Sequence, residues 1–217
     1  MNTIFITQNS YFFIHRNFNK IFNQSENIVI FVKEKRRGIL KKYLEIIKSF
    51  NIKNFITIVI LEIYYLALFL KKKNKYKTIF VNDYEINNLL ESILKEKKDF
   101  IKIISIGCPC KLDIMLSKKY TIDMINLHGG ILPLQKGRFS PIKSLNSNHK
   151  LLGATLHKVG KNFDEGEILS QITFKVENKN KLLNYHKVIK NSSKLLQLFL
   201  QGKTLKPNIK NIFDMKY

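Results

Sequence analysis

Tryptophan is missing from the 217 residues, proline occurs four times, cysteine twice, and acidic side chains 16 times against 38 lysines and arginines. Each shortage excludes something. With 45% hydrophobic and 12% aromatic residues and so little proline, the chain is no disordered polyelectrolyte, and it can bury a sizeable core. The two cysteines, Cys108 and Cys110, are separated only by Pro109, a poor disulfide spacing, and no further Cys or nearby His completes a zinc set. They read as reduced thiols, which implies a cytoplasmic location and no metal. Met1–Thr7 lacks the basic, apolar and small-residue order of a signal peptide, so the sequons at Asn23 and Asn191 read as chance matches.

The scarcity of acid leaves a net charge of +22. Runs such as Lys71–Lys73 and Lys33–Arg37 read as solvated faces, while the charge as a whole suits a nucleotide diphosphate, RNA or an acidic membrane and chooses none of them. Long apolar runs are scarce too. Phe55–Leu70 is followed by three lysines, but its sixteen residues fall short of the ~20 needed to span a bilayer, and Glu62 interrupts them. A buried helix or a surface-lying amphipathic segment fits better than a span, and of the two the expectation is a core helix.

Short β-branched runs at Thr3–Thr7, Ile28–Val32, Thr78–Val81, Ile101–Ile106 and Ile122–Leu127 predict buried strands. Helical spacing of apolar residues predicts helices over Ser10–Phe22, Gly38–Phe50, Glu85–Lys95 and Lys111–Ser117. Alternation of the two implies an α/β fold with a mostly parallel sheet, whose sites form beyond the carboxyl ends of strands. Ser140-Pro141 reads as an N-cap followed by proline at the first helical position. Gly153–Val159 and Ile168–Val176 read as a hairpin, and Asn180–Leu200 as a long closing helix, with Leu183 in its apolar set. Residues 1–200 read as one catalytic domain and 201–217 as a tail.

Chemistry concentrates in two patches. In Ile125-Asn-Leu-His-Gly-Gly-Ile-Leu-Pro133, strand alternation sends Asn126 and His128 to one face, and the glycines that follow permit close approach of a ligand. An amide and an imidazole suit a reaction at a carbonyl, where one binds the oxyanion and the other donates or moves a proton. By residue type alone, His128 and Asn126 serve equally well as a structural histidine and a strand-end cap. The second patch runs from His157 to Gly166, with Asp164 in a glycine-bracketed turn, a setting that by itself is ordinary turn chemistry.

Taken together, Asn126-x-His128 with Leu132-Pro133 and Gly137, Gly153-x-Thr155-x-His157, and Asp164-x-Gly166-x-Ile168 resemble the folate-dependent formyltransferase family. The resemblance implies a Rossmann-like formyltransferase fold: a mostly parallel sheet with helices on both faces and a C-terminal hairpin plus helix. It also implies 10-formyltetrahydrofolate as co-substrate. The family's catalytic set falls on Asn126, His128 and Asp164, and its pterin pocket on Gly107, Cys108, Pro109, Cys110, Phe163 and Asp164.

Departures narrow the branch. Thr7-Gln8-Asn9-Ser10 stands where the glycinamide-ribonucleotide branch carries a glycine- and serine-rich phosphate loop, and only about forty residues follow the last strand, where the initiator-tRNA branch adds an RNA-binding domain. What remains resembles the sugar N-formyltransferases, and Gly38–Leu70 with Arg36-Arg37 looks like an insertion found in some of them. The expected acceptor is therefore the amine of a nucleotide-linked amino-dideoxy sugar used for surface glycans. The partner is a small molecule rather than nucleic acid, and a homodimer is possible. Lys136 and Arg138, just past the His128 loop, are candidates for its phosphates, with His15, Arg16 and Lys33–Arg37 as second candidates. Two alternatives stay open: another acceptor such as an aminoacyl-tRNA, and a non-catalytic basic module that binds RNA or membranes.

Overall fold

Four of the β-branched runs lie side by side at the start of the chain. In a computed structural model describing residues 2–24, 26–34, 39–71, 73–97, 99–147, 149–176 and 179–206, they form β1 (Asn2–Gln8), β2 (Ile28–Lys33), β3 (Lys77–Asn82) and β4 (Phe100–Ile106). Within 35–43 no side chain is described, so the Lys33–Arg37 cluster and Arg36–Gly38 lie largely outside the described residues, as does the tail beyond 206. The pairing is parallel throughout: β1 sets Ile4 against Ile28 of β2 and Ile103 of β4, and Ile30 of β2 lies beside Ile79 of β3. β5 (Asp123–His128), β6 (Leu151–Lys158) and β7 (Ile168–Lys175) complete a seven-stranded order β3-β2-β1-β4-β5-β6-β7, in which β6 and β7 pair antiparallel.

The chain divides into two compact units, Met1–Asn126 and Leu127–Tyr217. The first is built on phenylalanine. Phe5, Phe18, Phe22 and Phe31 are fully buried, and the rings of Phe5 and Phe22 stand 5.0 Å apart. Ser10–Phe22 is helical as expected, but it opens with a π-helical turn, Tyr11–His15, before α1 (Arg16–Phe22). α2 (Ile39–Phe50) and α3 (Ile52–Leu70) follow β2; α4 (Ile86–Glu96) buries Ile86, Leu90 and Leu94; and α5 (Met115–Lys119) is a single turn.

α3 corrects the expectation of a core helix. It extends the apolar run to 19 residues, enough by length and composition alone to cross a membrane, yet Ile58 is its only buried residue. Ile60, Ile63 and Leu70 are 61%, 64% and 73% exposed. Glu62, which looked like a flaw in a buried run, faces the protein instead. It accepts hydrogen bonds from Ser10 Oγ and from the Tyr11 and Phe12 amides.

His15, a second-line phosphate candidate, is also corrected. It is buried against Tyr11, Phe31 and Phe69, with Nε2 3.2 Å from Asn9 Oδ1. Burial lowers its pKa from 6.5 to about 4, so it holds no charge for an anion at neutral pH. Because the folded value is the lower one, the neutral ring stabilises the fold above pH 6.5, and that contribution is lost as pH falls towards 4. Going from pH 8 to pH 5.5 should cost about 1.4 kcal/mol through this residue alone. Urea unfolding at both pH values checks this: His15→Phe should remove that part of the difference, and an unchanged difference would show that His15 is not its source.

In the second unit β6 and β7 form the predicted hairpin, with Gly153 paired to Thr173 and Thr155 to Gln171. α7 (Lys181–Leu200) is capped by Asn180, whose Oδ1 accepts from the Leu182 and Leu183 amides, and it buries Leu182, Val188, Leu195 and Leu196. Leu183, expected in that stripe, faces out. The start of the tail is held: Leu205 O accepts from Gln171 N, and Leu205 N donates to Ser170 Oγ.

Candidate active site

His128 closes β5 and is nearly buried, its position set by the loop that follows. Gly130 lies so close that a Cβ there would sit 2.7 Å from His128 Nε2 and 2.5 Å from Gln135 O, so no larger residue fits without moving the ring. Gln135 fixes this loop through three contacts. Its side-chain oxygen accepts from Ile131 N (3.0 Å), its amide donates to Leu151 O (3.0 Å), and its backbone oxygen accepts from His128 Nε2 (2.6 Å). Thr155 Oγ1 donates to Gly130 O (2.7 Å) and accepts from Leu132 N and Gln171 Nε2, tying the loop to β6.

α6 (Ser140–Asn146) begins differently from the N-cap expectation. Phe139, at φ 51°, is the capping position, and Ser140 lies inside the helix. The serine hydroxyl donates to Gly129 O (2.9 Å) and stands 3.3 Å from His128 Nε2, so it braces the histidine loop instead of the helix end.

The turn between β6 and β7 brings Asp164 to this histidine. Oδ1 is 3.3 Å from His128 Nδ1 and 3.8 Å from His157 Nε2, and Oδ2 accepts from Gly137 N (2.8 Å). Asp164 adopts a left-handed backbone (φ 58°), which a short acidic side chain tolerates. Gly166 is obligatory beside it, because a Cβ there would overlap Lys158 O.

His128 Nε2 faces a carbonyl oxygen, so it is the donor in that contact. Its Nδ1 faces the Asp164 carboxylate at 3.3 Å. His157 is the opposite case. Nδ1 donates to Lys158 O (2.8 Å), and burial lowers its pKa against the upward pull of that carbonyl and of Asp164. His157 Nε2 is left facing Asp164 Oδ1 at 3.8 Å. The arrangement sets an imidazole against a carboxylate at the end of β5, a pairing that can move a proton to or from an arriving group.

The other predicted residues fall as follows. Asn126 is half-buried on β5, two residues before His128 and so on the same side of the strand. Phe163 is 62% exposed on the Asp164 turn. Lys136 pairs with Glu165 across the same turn (3.0 Å), and Arg138 lies over the Phe139 ring. In the first unit, Gly107 (φ 58°), Cys108, Pro109 and Cys110 form the turn after β4. The two sulfurs are 3.2 Å apart, and the contact with Cys110, aided by burial, holds the Cys108 thiol well above its ordinary pKa. Arg16 lies over Tyr65, 4.9 Å from the ring centre. Sequence reading missed Gln135 and Ser140 as supports of His128; neither residue type stands out in a loop or a first helical turn.

The family model for formyl transferase matches residues 87–197, and the chain belongs to that family. The bifunctional polymyxin resistance protein ArnA of Wigglesworthia glossinidia brevipalpis is 33% identical over 144 residues, covering 65% of this chain and 21% of that protein. The chain thus spans about a fifth of that relative's length. Among solved structures, a phosphoribosylglycinamide formyltransferase from Campylobacter jejuni is 18% identical, with 93% of this chain and 95% of that one covered at a TM-score of 0.58. A sugar N-formyltransferase from Shewanella is 16% identical, with 96% and 74% covered at a TM-score of 0.58. Both likenesses concern the fold, which is the α/β formyltransferase fold expected from the sequence.

Proposed function

We propose that the chain transfers the formyl group of 10-formyltetrahydrofolate to the amine of a nucleotide-linked amino-dideoxy sugar. The observation that carries the chemistry is the placement of Asp164 Oδ1 3.3 Å from His128 Nδ1 at the end of β5. A neutral amine attacks the formyl carbon, and the C–O double bond opens to a tetrahedral oxyanion. Asn126 donates to that oxygen, and His128 does so once its Nε2–H leaves Gln135 O. As the intermediate collapses, the amine loses its proton to the Asp164 carboxylate, the His128–Asp164 pair passes a proton on to the folate nitrogen, and the C–N bond to folate breaks. Gly107–Cys110 and the Phe163–Asp164 turn are proposed for the folate, and Lys136 and Arg138 for the sugar nucleotide's phosphates. The sugar as acceptor is supported by the sequence's resemblance to the sugar N-formyltransferases and by the Thr7–Ser10 segment, which lacks a glycine-rich phosphate loop.

The test is incubation of the protein with 10-formyltetrahydrofolate and a panel of nucleotide-linked amino sugars, glycinamide ribonucleotide and methionyl-tRNA, read by mass. A gain of one formyl group on a sugar nucleotide alone is the expected result, and Lys136→Ala with Arg138→Ala should raise its KM far more than that of folate. Formylation of another acceptor would move the substrate while keeping the chemistry. Release of formate with no acceptor modified would make water the nucleophile.

A further inference from the structure

Independently of formyl chemistry, α3 carries a surface that the fold leaves uncovered. At ~100° per residue its two sides separate cleanly. Ile58, Glu62, Tyr65 and Phe69 form the inner side: Tyr65 lies 5.8 Å from the Phe12 ring, Phe69 lies 5.4 Å from Tyr11 and 4.3 Å from His15, and Glu62 accepts three hydrogen bonds. Ile52, Ile56, Val59, Ile63 and Leu70 form the outer side with Ile60 beside them, and all six are exposed. The helix's only acid is turned inward, so no negative charge reaches the outer side. Exposed Lys53 opens the helix, exposed Lys71, Lys73, Lys75 and Lys77 follow it, and no acidic residue occurs between Glu62 and Asp83.

We propose that α3 is an interfacial helix that seats the chain on an anionic phospholipid surface. An apolar stripe bordered by lysines matches acyl chains bordered by phosphate headgroups. The helix lies on the bilayer without spanning it, because Glu62, Tyr65 and Phe69 keep its inner side on the protein. A second copy of the chain is a poorer occupant. An antiparallel pair would bring Lys71–Lys77 to the Lys53 end of its neighbour, and a parallel pair would set like against like, with no acid on the face to offset either.

The absence of native tryptophan makes a clean probe available. Ile60→Trp should shift its emission to the blue with vesicles of phosphatidylcholine and phosphatidylglycerol, be quenched by brominated lipid, and respond little to phosphatidylcholine alone. In co-sedimentation, Ile56→Glu with Ile60→Glu and Ile63→Glu should weaken binding by ~10-fold or more, and Lys71→Glu with Lys73→Glu and Lys75→Glu should remove the preference for anionic lipid. No spectral shift with either vesicle overturns the proposal. So does equal binding by both variants, or a wild-type dimer that ignores vesicles and that the glutamates convert to monomer.

Discussion

Replacing Asp164 by asparagine should lower the kcat of formyl transfer by ~10²-fold or more while leaving the protein folded. Gly137 N needs an acceptor at position 164, and the asparagine carbonyl supplies one, so the turn keeps its anchor. The amide nitrogen then faces His128 Nδ1 and donates to it. That keeps a partner for the ring but leaves no carboxylate to take the amine's proton. His128→Asn should have a similar effect by removing the ring itself, with Gln135 and Thr155 still holding the loop. The double variant should be little worse than either single one, because the two residues act as a unit. Steady-state kinetics and thermal unfolding of the three proteins check this. Near-full turnover in both single variants would defeat the mechanism and leave the family untouched.

β1 and β2 were legible because they are buried on both sides, and burial leaves a run of Ile, Val and Phe that needs no knowledge of partners. The candidate trio has another source: Asn126, His128 and Asp164 come from the family resemblance of the joint pattern, since each alone is an ordinary strand-end or turn residue, and the structure sets His128 and Asp164 3.3 Å apart. What failed were the properties that depend on a distant contact. Ser140 reads as an N-cap locally, yet its hydroxyl is claimed by Gly129 and His128 from another segment. Phe55–Leu70 reads as core, because composition reports how apolar a helix is and not whether anything covers it. His15 reads as a cation until Phe31 and Phe69 remove its water.

Glu62 is the sharpest instance, and it carries the second large effect. Its partners are fifty to fifty-two residues away in sequence: Ser10 Oγ at 2.5 Å, Tyr11 N at 2.6 Å and Phe12 N at 3.2 Å. Ser10 Oγ in turn accepts from Phe13 N at 3.1 Å. One carboxylate thus satisfies, directly or through Ser10, the first amides of the helical stretch that follows β1, where the helix dipole favours negative charge. Glu62→Ala removes the acceptor and leaves two partly buried amides without it, so it should cost about 2–4 kcal/mol. Glu62→Gln keeps an acceptor but no charge, and should cost about half as much. Exposed Glu96→Ala on α4 is the control, with a change within about 0.5 kcal/mol. Because the same bonds fasten α3 to the fold, Glu62→Ala should also speed tryptic cleavage at Lys71 and Lys73 before global unfolding. Urea unfolding with timed proteolysis measures both effects. If Glu62→Ala were as stable and as resistant as Glu96→Ala, the carboxylate would not be what holds α3 in place.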